Sequence, residues 1–269
     1  MAAPGSGAVS LLRGGRSGSR LRRAGAGTGG PRRPVDRTGP APASTGCGSG
    51  AGGVAPGSAH RPHRRGAAVG AEQMSADLAA LVALLRGRLT RAEGRAGAEA
   101  AKVSGLLDRA SAEAPYAASA HPLVRHLPAA LAGLERDAPD IAALLGPLAQ
   151  GLPWRYGYDA RADLPDLHLN MGWAEFVGPA APLRSDEVCL GLTLIGPHTH
   201  YPAHRHPAVE LYHVLTGAAE WSGDWRPPGA FILHETNQEH AMRAGDEPLL
   251  ALYTWSGDVV SPSVWSAPS

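Results

Sequence analysis

The chain has 269 residues and a formal net charge of +1, but its charges are distributed unevenly. Residues 1–73 carry 11 of the 25 Lys and Arg residues and only two acids, a net +9, whereas residues 74–269 carry a net −8. The acidic balance of the larger part argues against a nucleic-acid partner for the folded domain. No run approaches the roughly 18 apolar residues of a membrane span, and two cysteines make no disulfide framework, which favours a cytoplasmic protein without a membrane partner.

Residues 1–73 are predicted to form a disordered leader rich in Arg, Gly and Ala. They contain 18 of the 35 glycines and no Phe, Trp or Tyr, which is too little apolar bulk to offset the entropy lost on folding. The alternative interpretation is a mis-assigned start, with translation beginning at Met74. Both interpretations place the start of the folded protein near Met74.

Residues 74–153 are predicted to form a helical section that packs on the domain after it. Apolar residues recur at helical spacing from Ser75 to about Arg109. A second helix is expected after Pro122, with its regular part from Pro128, and a third from Pro139 to about Leu145. No residue in this section indicates catalysis.

Residues 154–269 are predicted to form a mostly antiparallel β barrel or sandwich, because short apolar runs alternate with Gly and Pro turns. Helices followed by a run of strands make the fold class α+β with a mainly β core. The predicted strands are Leu167–Phe176, Glu187–Ile195, Val209–Leu215, Ala218–Trp221, Ala230–Leu233, Glu239–Arg243 and Leu249–Trp255.

The densest run of histidines in the chain predicts a metal site. Side chains on an extended strand alternate between two faces, so His204, His206, Glu210 and Tyr212 are expected to point into one interior. Imidazoles and a carboxylate in an apolar interior need a compensating partner. One divalent transition metal ion, Fe²⁺, Zn²⁺, Mn²⁺ or Ni²⁺, would provide it.

A later histidine is expected to complete this ligand set. His240 is the best placed candidate, and His234 competes with it. The other histidines of the region, His198, His200 and His213, are interpreted as surface residues or neighbours of the ligands rather than as ligands.

The spacing of these residues is similar to the first signature motif of the cupin superfamily. The resemblance implies a double-stranded β-helix, or jelly-roll barrel, with a second motif that contributes the last histidine. Pro227-Pro228-Gly229 and His240 look like that second motif, although its spacing differs from the commonest one and no Asn follows the histidine in the usual place. His234 therefore stays open as an alternative. The first motif reads His204-x-His206-x₃-Glu210-x₆-Gly217.

Three strings of the chain carry a narrower resemblance: Tyr201-Pro-Ala-His204-Arg-His206-Pro-Ala-Val-Glu210-Leu-Tyr212, Gln238-Glu-His240-Ala-Met242 and Pro248-Leu-Leu-Ala-Leu-Tyr-Thr-Trp255-Ser-Gly-Asp258. They resemble the cupin-type dimethylsulfoniopropionate lyases, and the resemblance covers most of residues 74–269. A tyrosine before the first histidine and another two residues after the glutamate are not general cupin features, so their joint presence makes the match fairly specific.

This resemblance implies roles for individual residues. The metal ligands would be His206, Glu210 and His240, with Tyr212 as a ligand or close neighbour and His204 beside the metal. Tyr201 would be the catalytic base, and Tyr212 is the other phenol that the metal could hold as phenolate. The expected substrate pocket contains Trp255, Tyr253 and Met242, with Trp221 as a further aromatic candidate.

The expected reaction is the β-elimination of dimethylsulfoniopropionate, or a similar zwitterionic carboxylate, to dimethyl sulfide and acrylate. One alternative is a cupin dioxygenase or a related metal-dependent cupin enzyme that acts on another small carboxylate. A further alternative is a non-enzymatic cupin that binds a small molecule. The sequence leaves the oligomeric state open, and a homodimer is one candidate because cupin barrels often pair through exposed sheet edges.

Overall fold

The structure is a computed structural model that describes residues 63–112, 119 and 121–266. Residues 1–62 of the predicted leader lie outside the described residues. The first described helix begins at His63, upstream of Met74. The division of the chain at residues 73 and 153 therefore stays a prediction.

Helices occupy the first part of the described chain. The long helical stretch predicted from Ser75 is divided into two helices, and the second begins at Gly94. Gly94 has a φ of 58°, a left-handed conformation that favours glycine. The second predicted helix starts as a 3₁₀ turn at Pro122–His126 and becomes regular at Leu127. The α-helices are α1 (His63–Leu89), α2 (Gly94–Leu107), α3 (Leu127–Asp137), α4 (Pro139–Leu148) and the short α5 (Leu167–Asn170). None of the helices in the described ranges is long and apolar enough to cross a membrane.

Strands dominate the second part of the described chain. The strand predicted from Leu167 starts instead at Met171, because Leu167–Asn170 form a helical turn. In this turn the side-chain amide of Asn170 donates to the backbone carbonyl of Asp166 at 3.0 Å. The strands are β1 (Ser111–Ala112), β2 (Met171–Gly178), β3 (Leu183–Arg184), β4 (Val188–Ile195), β5 (His200–Arg205), β6 (Val209–Thr216), β7 (Ala219–Trp221), β8 (Asp224–Arg226), β9 (Phe231–His234), β10 (His240–Ala244), β11 (Leu249–Ser256) and β12 (Val264–Trp265).

The strands form two sheets with jelly-roll topology. One sheet has the order β1-β3-β2-β4-β11-β6-β9, and the other has the order β12-β5-β10-β7-β8. From β4 onward the chain crosses repeatedly between the sheets, so that β4, β6, β9 and β11 pair in one and β5, β7, β8 and β10 in the other. This crossing pattern is that of two Greek keys wound into a double-stranded β-helix. The predicted fold class, α+β with a C-terminal cupin barrel, is confirmed.

The larger sheet is buried on both faces. On β4, Leu190, Leu192 and Leu194 belong to an apolar cluster shared with α1–α4, which we call the outer core. The alternate residues Cys189 and Ile195 belong to a second cluster between the two sheets, which we call the inner core. Since side chains alternate along a strand, the helices cover one face of this sheet and leave the other to form the barrel interior.

Candidate functional site

A cavity of about 270 Å³ opens into the barrel interior beside the inner core. Its walls include the residues that the sequence marked as candidate site residues on β5, β6 and β11. The sequence-predicted residues that line it are Tyr201, His204, Glu210, Tyr212, Tyr253 and Trp255.

Two strands, rather than one, position the predicted site residues. Tyr201 and His204 lie on β5, whereas Glu210 and Tyr212 lie on β6 in the other sheet, and His206 lies in the connection between them. The expectation of a single extended strand was therefore wrong, because the chain changes sheets at residues 206–208. The side chains still converge, since the two sheets face each other across the barrel interior.

The carboxylate of Glu210 is the centre of the buried polar group. Its Oε2 lies 3.0 Å from Nε2 of His206 and 3.1 Å from Nε2 of His240. Its Oε1 accepts a hydrogen bond of 2.8 Å from the indole Nε1 of Trp255. Glu210 and both histidines are 2% exposed, so this carboxylate interacts with protein groups rather than with bulk water.

Three imidazoles are held in the same way by the backbone. Nδ1 of His204 lies 2.9 Å from the Pro202 carbonyl, and Nδ1 of His240 lies 3.0 Å from the Gln238 carbonyl. Nδ1 of His206 lies 3.0 Å from the carbonyl of Ala208. A carbonyl can only accept, so each Nδ1 carries a proton and Nε2 is the nitrogen left to face the site. At His206 this Nε2 donates to the Glu210 carboxylate, which can also only accept. This arrangement is typical of histidines that bind metals through Nε2.

The described residues contain a histidine and glutamate group that can hold a metal ion. Ligand atoms of His204, His206 and His240 lie within 4.8 Å of one another, as do those of Glu210, His234 and His240. Nε2 of His240 is buried and makes no hydrogen bond, because its short contact with Glu210 lacks hydrogen-bond geometry. A buried lone pair with no donor is costly, and nitrogen and carboxylate ligands suit a divalent transition metal.

His240 and His234 lie side by side, and both are buried. Their rings stack at 3.8 Å between centroids, with an interplanar angle of 7°. Neither ring nitrogen of His234 has a hydrogen-bond partner, whereas His240 is anchored through Nδ1. His240 also belongs to both groups of potential ligands, which favours it over His234 as the last ligand.

Burial and neighbouring charges set the protonation of the group. Burial, together with the nearby His240, lowers the pKa of His204 to about 3, so its imidazole is neutral. Burial alone would raise the pKa of Glu210, but the imidazoles of His206 and His240 hold it well below its ordinary value. Burial alone would lower the pKa of His206, but the charge and hydrogen bond of Glu210 raise it. The site therefore presents a carboxylate and the neutral imidazole of His204, and a metal would displace the proton from Nε2 of His206 on binding.

The predicted catalytic phenols lie in the wall of the same cavity. The Tyr201 ring stacks on the His204 ring at 4.0 Å between centroids, and its hydroxyl is hydrogen-bonded to that of Tyr158. Burial is the main cause that raises the pKa of both Tyr201 and Tyr212 well above the ordinary value. The described residues alone thus keep both phenols neutral, and ionisation needs positive charge supplied by a bound cation.

Other predicted site residues lie outside the cavity wall. Met242 and Trp221 are paired across β10 and β7 and pack in the inner core, so neither lines the cavity. His213 faces the other side of β6, where its ring stacks on Phe231 at 4.2 Å. His198 and His200 are exposed at the start of β5, as expected for residues that are not ligands.

Several cavity residues were missed by the sequence reasoning. Tyr158 comes from the segment before the first long strand and stacks on Trp265 at 4.1 Å. Trp173 and Glu175 come from β2 and point into the barrel. A charged residue in the otherwise apolar run of β2 was a usable signal for Glu175, whereas no local pattern marks Tyr158 as a cavity residue.

Comparison with known proteins places the chain beside proteins named as lyases. The family model for dimethylsulfoniopropionate (DMSP) lyase matches residues 95–251. The DddL protein of Cereibacter sphaeroides is 33% identical over 141 residues, which are 51% of this chain and 60% of that protein. DMSP lyase DddQ of Ruegeria pomeroyi is 30% identical over 120 residues, 43% of this chain and 60% of that protein. The chain thus spans 60% of the length of each of these curated relatives.

Solved structures with the same fold are also named as DMSP lyases. The crystal structure of DddQ from Ruegeria pomeroyi matches with a TM-score of 0.56 and 26% identity, over 71% of this chain and 97% of that one. A structure described with the DMSP lyases RdDddP and RnDddQII matches with a TM-score of 0.58 and 22% identity, over 73% of this chain and 100% of that one. At these TM-scores the two structures share the fold described above.

Proposed function

This chain belongs to the DMSP lyase family, and on that premise we propose that it is a metal-dependent lyase that converts DMSP to dimethyl sulfide and acrylate. The observation that carries the proposal is the arrangement inside one buried cavity. Glu210 meets the Nε2 atoms of His206 and His240, and the Tyr201 phenol lies against His204. This combination offers a metal site and a base within a single small pocket.

The proposed metal ligands are His206, Glu210 and His240, with His204 and Tyr212 beside them. When bound there, a divalent ion would act as a Lewis acid toward the substrate carboxylate. It would also supply the positive charge that the phenols need in order to ionise. Fe²⁺, Zn²⁺, Mn²⁺ and Ni²⁺ all accept nitrogen and carboxylate ligands, so the residues themselves leave the identity of the metal open.

Tyr201 is the proposed base. Its phenolate oxygen would take the proton from the carbon next to the substrate carboxylate. The electron pair of that C–H bond then forms the carbon–carbon double bond of acrylate, while the C–S bond breaks with its electrons going to sulfur. Dimethyl sulfide leaves as a neutral molecule, so no acid is needed. Tyr158, which is hydrogen-bonded to Tyr201, orients the phenol.

The remaining cavity residues exclude water and orient the substrate. Trp255 is held by its hydrogen bond to Glu210, and Tyr253 and Tyr212 lie opposite each other on β11 and β6. Aromatic faces accommodate a sulfonium cation by cation–π attraction. The proposal further includes a cytoplasmic location, which rests on the two cysteines making no disulfide framework, and a homodimer as the candidate assembly, which rests on the cupin resemblance.

The decisive experiment measures dimethyl sulfide in the headspace above the purified full-length chain. The chain is loaded separately with each of the four metals and supplied with DMSP with and without oxygen. We expect release of dimethyl sulfide that does not depend on oxygen and that is lost on chelation. Absence of dimethyl sulfide with every metal would overturn the proposed substrate, and consumption of DMSP only in the presence of oxygen would indicate a dioxygenase instead.

A further inference from the structure

Glu175 is a second carboxylate in the wall of the cavity, and the proposed elimination gives it no role. It lies on β2 and points into the barrel interior, near Trp173 of the same strand. Tyr253 of β11 also lines this part of the cavity. A carboxylate among aromatic rings in a buried cavity is costly to keep unless it has partners, so its surroundings are informative.

The sheet brings Glu175 and Tyr253 together across a glycine. Gly191 of β4 pairs with Glu175 on one side and with Tyr253 on the other. A Cβ atom at Gly191 would come within 2.8 Å of Cε1 of Tyr253, so only glycine leaves room for that ring. The tyrosine hydroxyl therefore reaches Glu175 and donates to its Oε2 at 3.3 Å.

The side chain of Arg155 already places a positive charge beside Glu175 and Trp173. Nη2 of Arg155 lies 3.1 Å from Oε1 of Glu175, and its guanidinium lies 5.8 Å from the centroid of the Trp173 ring. The Arg155 side chain is 45% exposed, whereas that of Glu175 is 10% exposed. The arginine can thus turn toward solvent, while the carboxylate and the aromatic face stay in the cavity wall.

We propose that Glu175, Trp173 and Tyr253 form the subsite that recognises the positively charged, methylated onium end of the substrate. An onium group with only methyl and methylene substituents has no N–H or O–H to donate. It is recognised by charge attraction and by aromatic faces, and these three residues supply one carboxylate and two rings. The identity of the onium group as a sulfonium rests on the proposed function, but the subsite itself rests on the geometry.

The two carboxylates then have opposite tasks in one cavity. Glu210 belongs to the metal-ligand group, which would take the anionic end of a zwitterion. Glu175, on another strand of the same sheet, would take the cationic end. A zwitterionic substrate would be oriented by both ends, which would present the carbon between them to Tyr201.

The test compares two stable ligands that differ only in charge. They are β-alanine betaine, which carries a trimethylammonium group, and its carbon isostere, in which a tert-butyl group replaces that group. Binding of each to the full-length, metal-loaded chain is measured by calorimetry, with dimethyl sulfide release from DMSP followed in parallel. In Glu175→Gln we expect about tenfold weaker binding of the betaine and an unchanged affinity for the isostere.

Matched variants make the outcome specific. Glu187→Gln is the control, because Glu187 pairs with Arg109 at the same 3.1 Å on the surface. Trp173→Leu should weaken binding of the betaine but not of its isostere. This variant replaces Glu175→Gln in the test if Glu175→Gln does not fold. Arg155→Gln should strengthen betaine binding, since it removes a competing cation.

Two results would overturn the proposed subsite. The first is that Glu175→Gln weakens the binding of the betaine and of its isostere equally. The second is that Arg155→Gln weakens the binding of both ligands, which would make Arg155 the anchor for the substrate carboxylate. The two proposals fail separately. If no dimethyl sulfide is released but the chain prefers the betaine to its isostere and loses this preference in Glu175→Gln, the subsite stands and the lyase proposal falls. If dimethyl sulfide is released but Glu175→Gln does not change the preference for the betaine, the lyase proposal stands and the subsite falls.

Discussion

The histidines of the site are fixed by contacts that are local in the chain. Each Nδ1 meets a carbonyl two residues away: Pro202 for His204, Ala208 for His206 and Gln238 for His240. Since the anchor is nearly adjacent in sequence, the orientation of each ring follows from the backbone path of its own segment. The direction of each Nε2 then depends on how the three segments meet.

Replacing His240 is expected to damage metal binding more than replacing His234. His240→Ala removes the ring whose Nε2 lies 3.1 Å from Glu210, so metal affinity should fall by more than about tenfold. His234→Ala removes a ring without hydrogen-bond partners and should change the affinity far less. Metal content after equilibrium dialysis measures both. The reverse order of losses would make His234 the ligand.

Tyr201→Phe is expected to abolish turnover and leave the metal content intact. The substitution removes the hydroxyl that is hydrogen-bonded to Tyr158 but keeps the ring that stacks on His204. A lost general base lowers rates by about 10²–10⁴-fold. Dimethyl sulfide release and metal analysis on the same sample check this prediction. Activity like that of the wild type would remove Tyr201 from the mechanism.

His213 is expected to make the fold sensitive to acid. Burial, with the nearby Arg88 and Arg91, lowers the pKa of His213 to about 4, below its ordinary value of 6.5. The unfolded chain therefore binds a proton at a pH at which the folded chain does not. The contribution of the neutral His213 to the free energy of unfolding is fully present above pH 6.5. It is lost as the pH falls toward 4, and the loss amounts to about 2–3 kcal/mol.

Urea unfolding at pH 7 and pH 4.5 checks this prediction against His213→Gln, which cannot gain the proton. The variant should lose less of its free energy of unfolding between the two pH values than the wild type does. Equal losses in the two proteins would show that the acid sensitivity comes from other groups.

At the scale of elements, α3 lies on the outer face of β6 at very short range. Gly133 is the point of closest approach, because a Cβ atom there would lie 2.4 Å from Oγ1 of Thr216. That hydroxyl donates to Asp137 at the end of α3, at 2.7 Å. The helix is therefore held against the strand that carries Glu210 and Tyr212.

Gly133→Ala is expected to destabilise the protein by about 1–3 kcal/mol, because the methyl group displaces Thr216 and separates α3 from β6. The matched control is Gly105→Ala in α2, where a Cβ atom would have open space around it. Alanine there should stabilise the helix by about 0.5–1 kcal/mol. Thermal unfolding of both variants measures the effect. A neutral Gly133→Ala would mean that the helix can shift without cost.

At the largest scale, the described part of the chain is organised around the larger sheet, with the outer core on one face and the cavity on the other. The site groups lie on β5, β6, β10 and β11, which belong to both sheets. A metal bound there would join the two sheets, and it would bind the folded chain in preference to the unfolded one.

Metal binding is therefore expected to raise the melting temperature of the whole domain. A ligand at 100 times its dissociation constant adds about 2.7 kcal/mol to the free energy of unfolding. Differential scanning calorimetry before and after chelation measures the shift, with His240→Ala as the control that should not respond. An unchanged melting temperature in the wild type would argue against a metal bound between the sheets.

Much of the fold and part of the site could be predicted from the sequence. The strands Val188–Ile195 and Leu249–Ser256 lie within one residue of their predicted bounds, because alternation and turn residues are local signals. The clustering of His204, His206, Glu210 and His240 was expected from composition and spacing, since buried imidazoles and carboxylates need each other or a metal.

Only the tertiary structure decided which distant residues share the cavity. Tyr158, Trp173 and Glu175 precede the histidine segment by many residues, and no periodicity connects them with it. The same holds for Met242, which matches a family string but turns into the inner core. Local patterns determine the element and the face of a residue, whereas its neighbours across a barrel depend on strand order and register, which arise only when the sheets assemble.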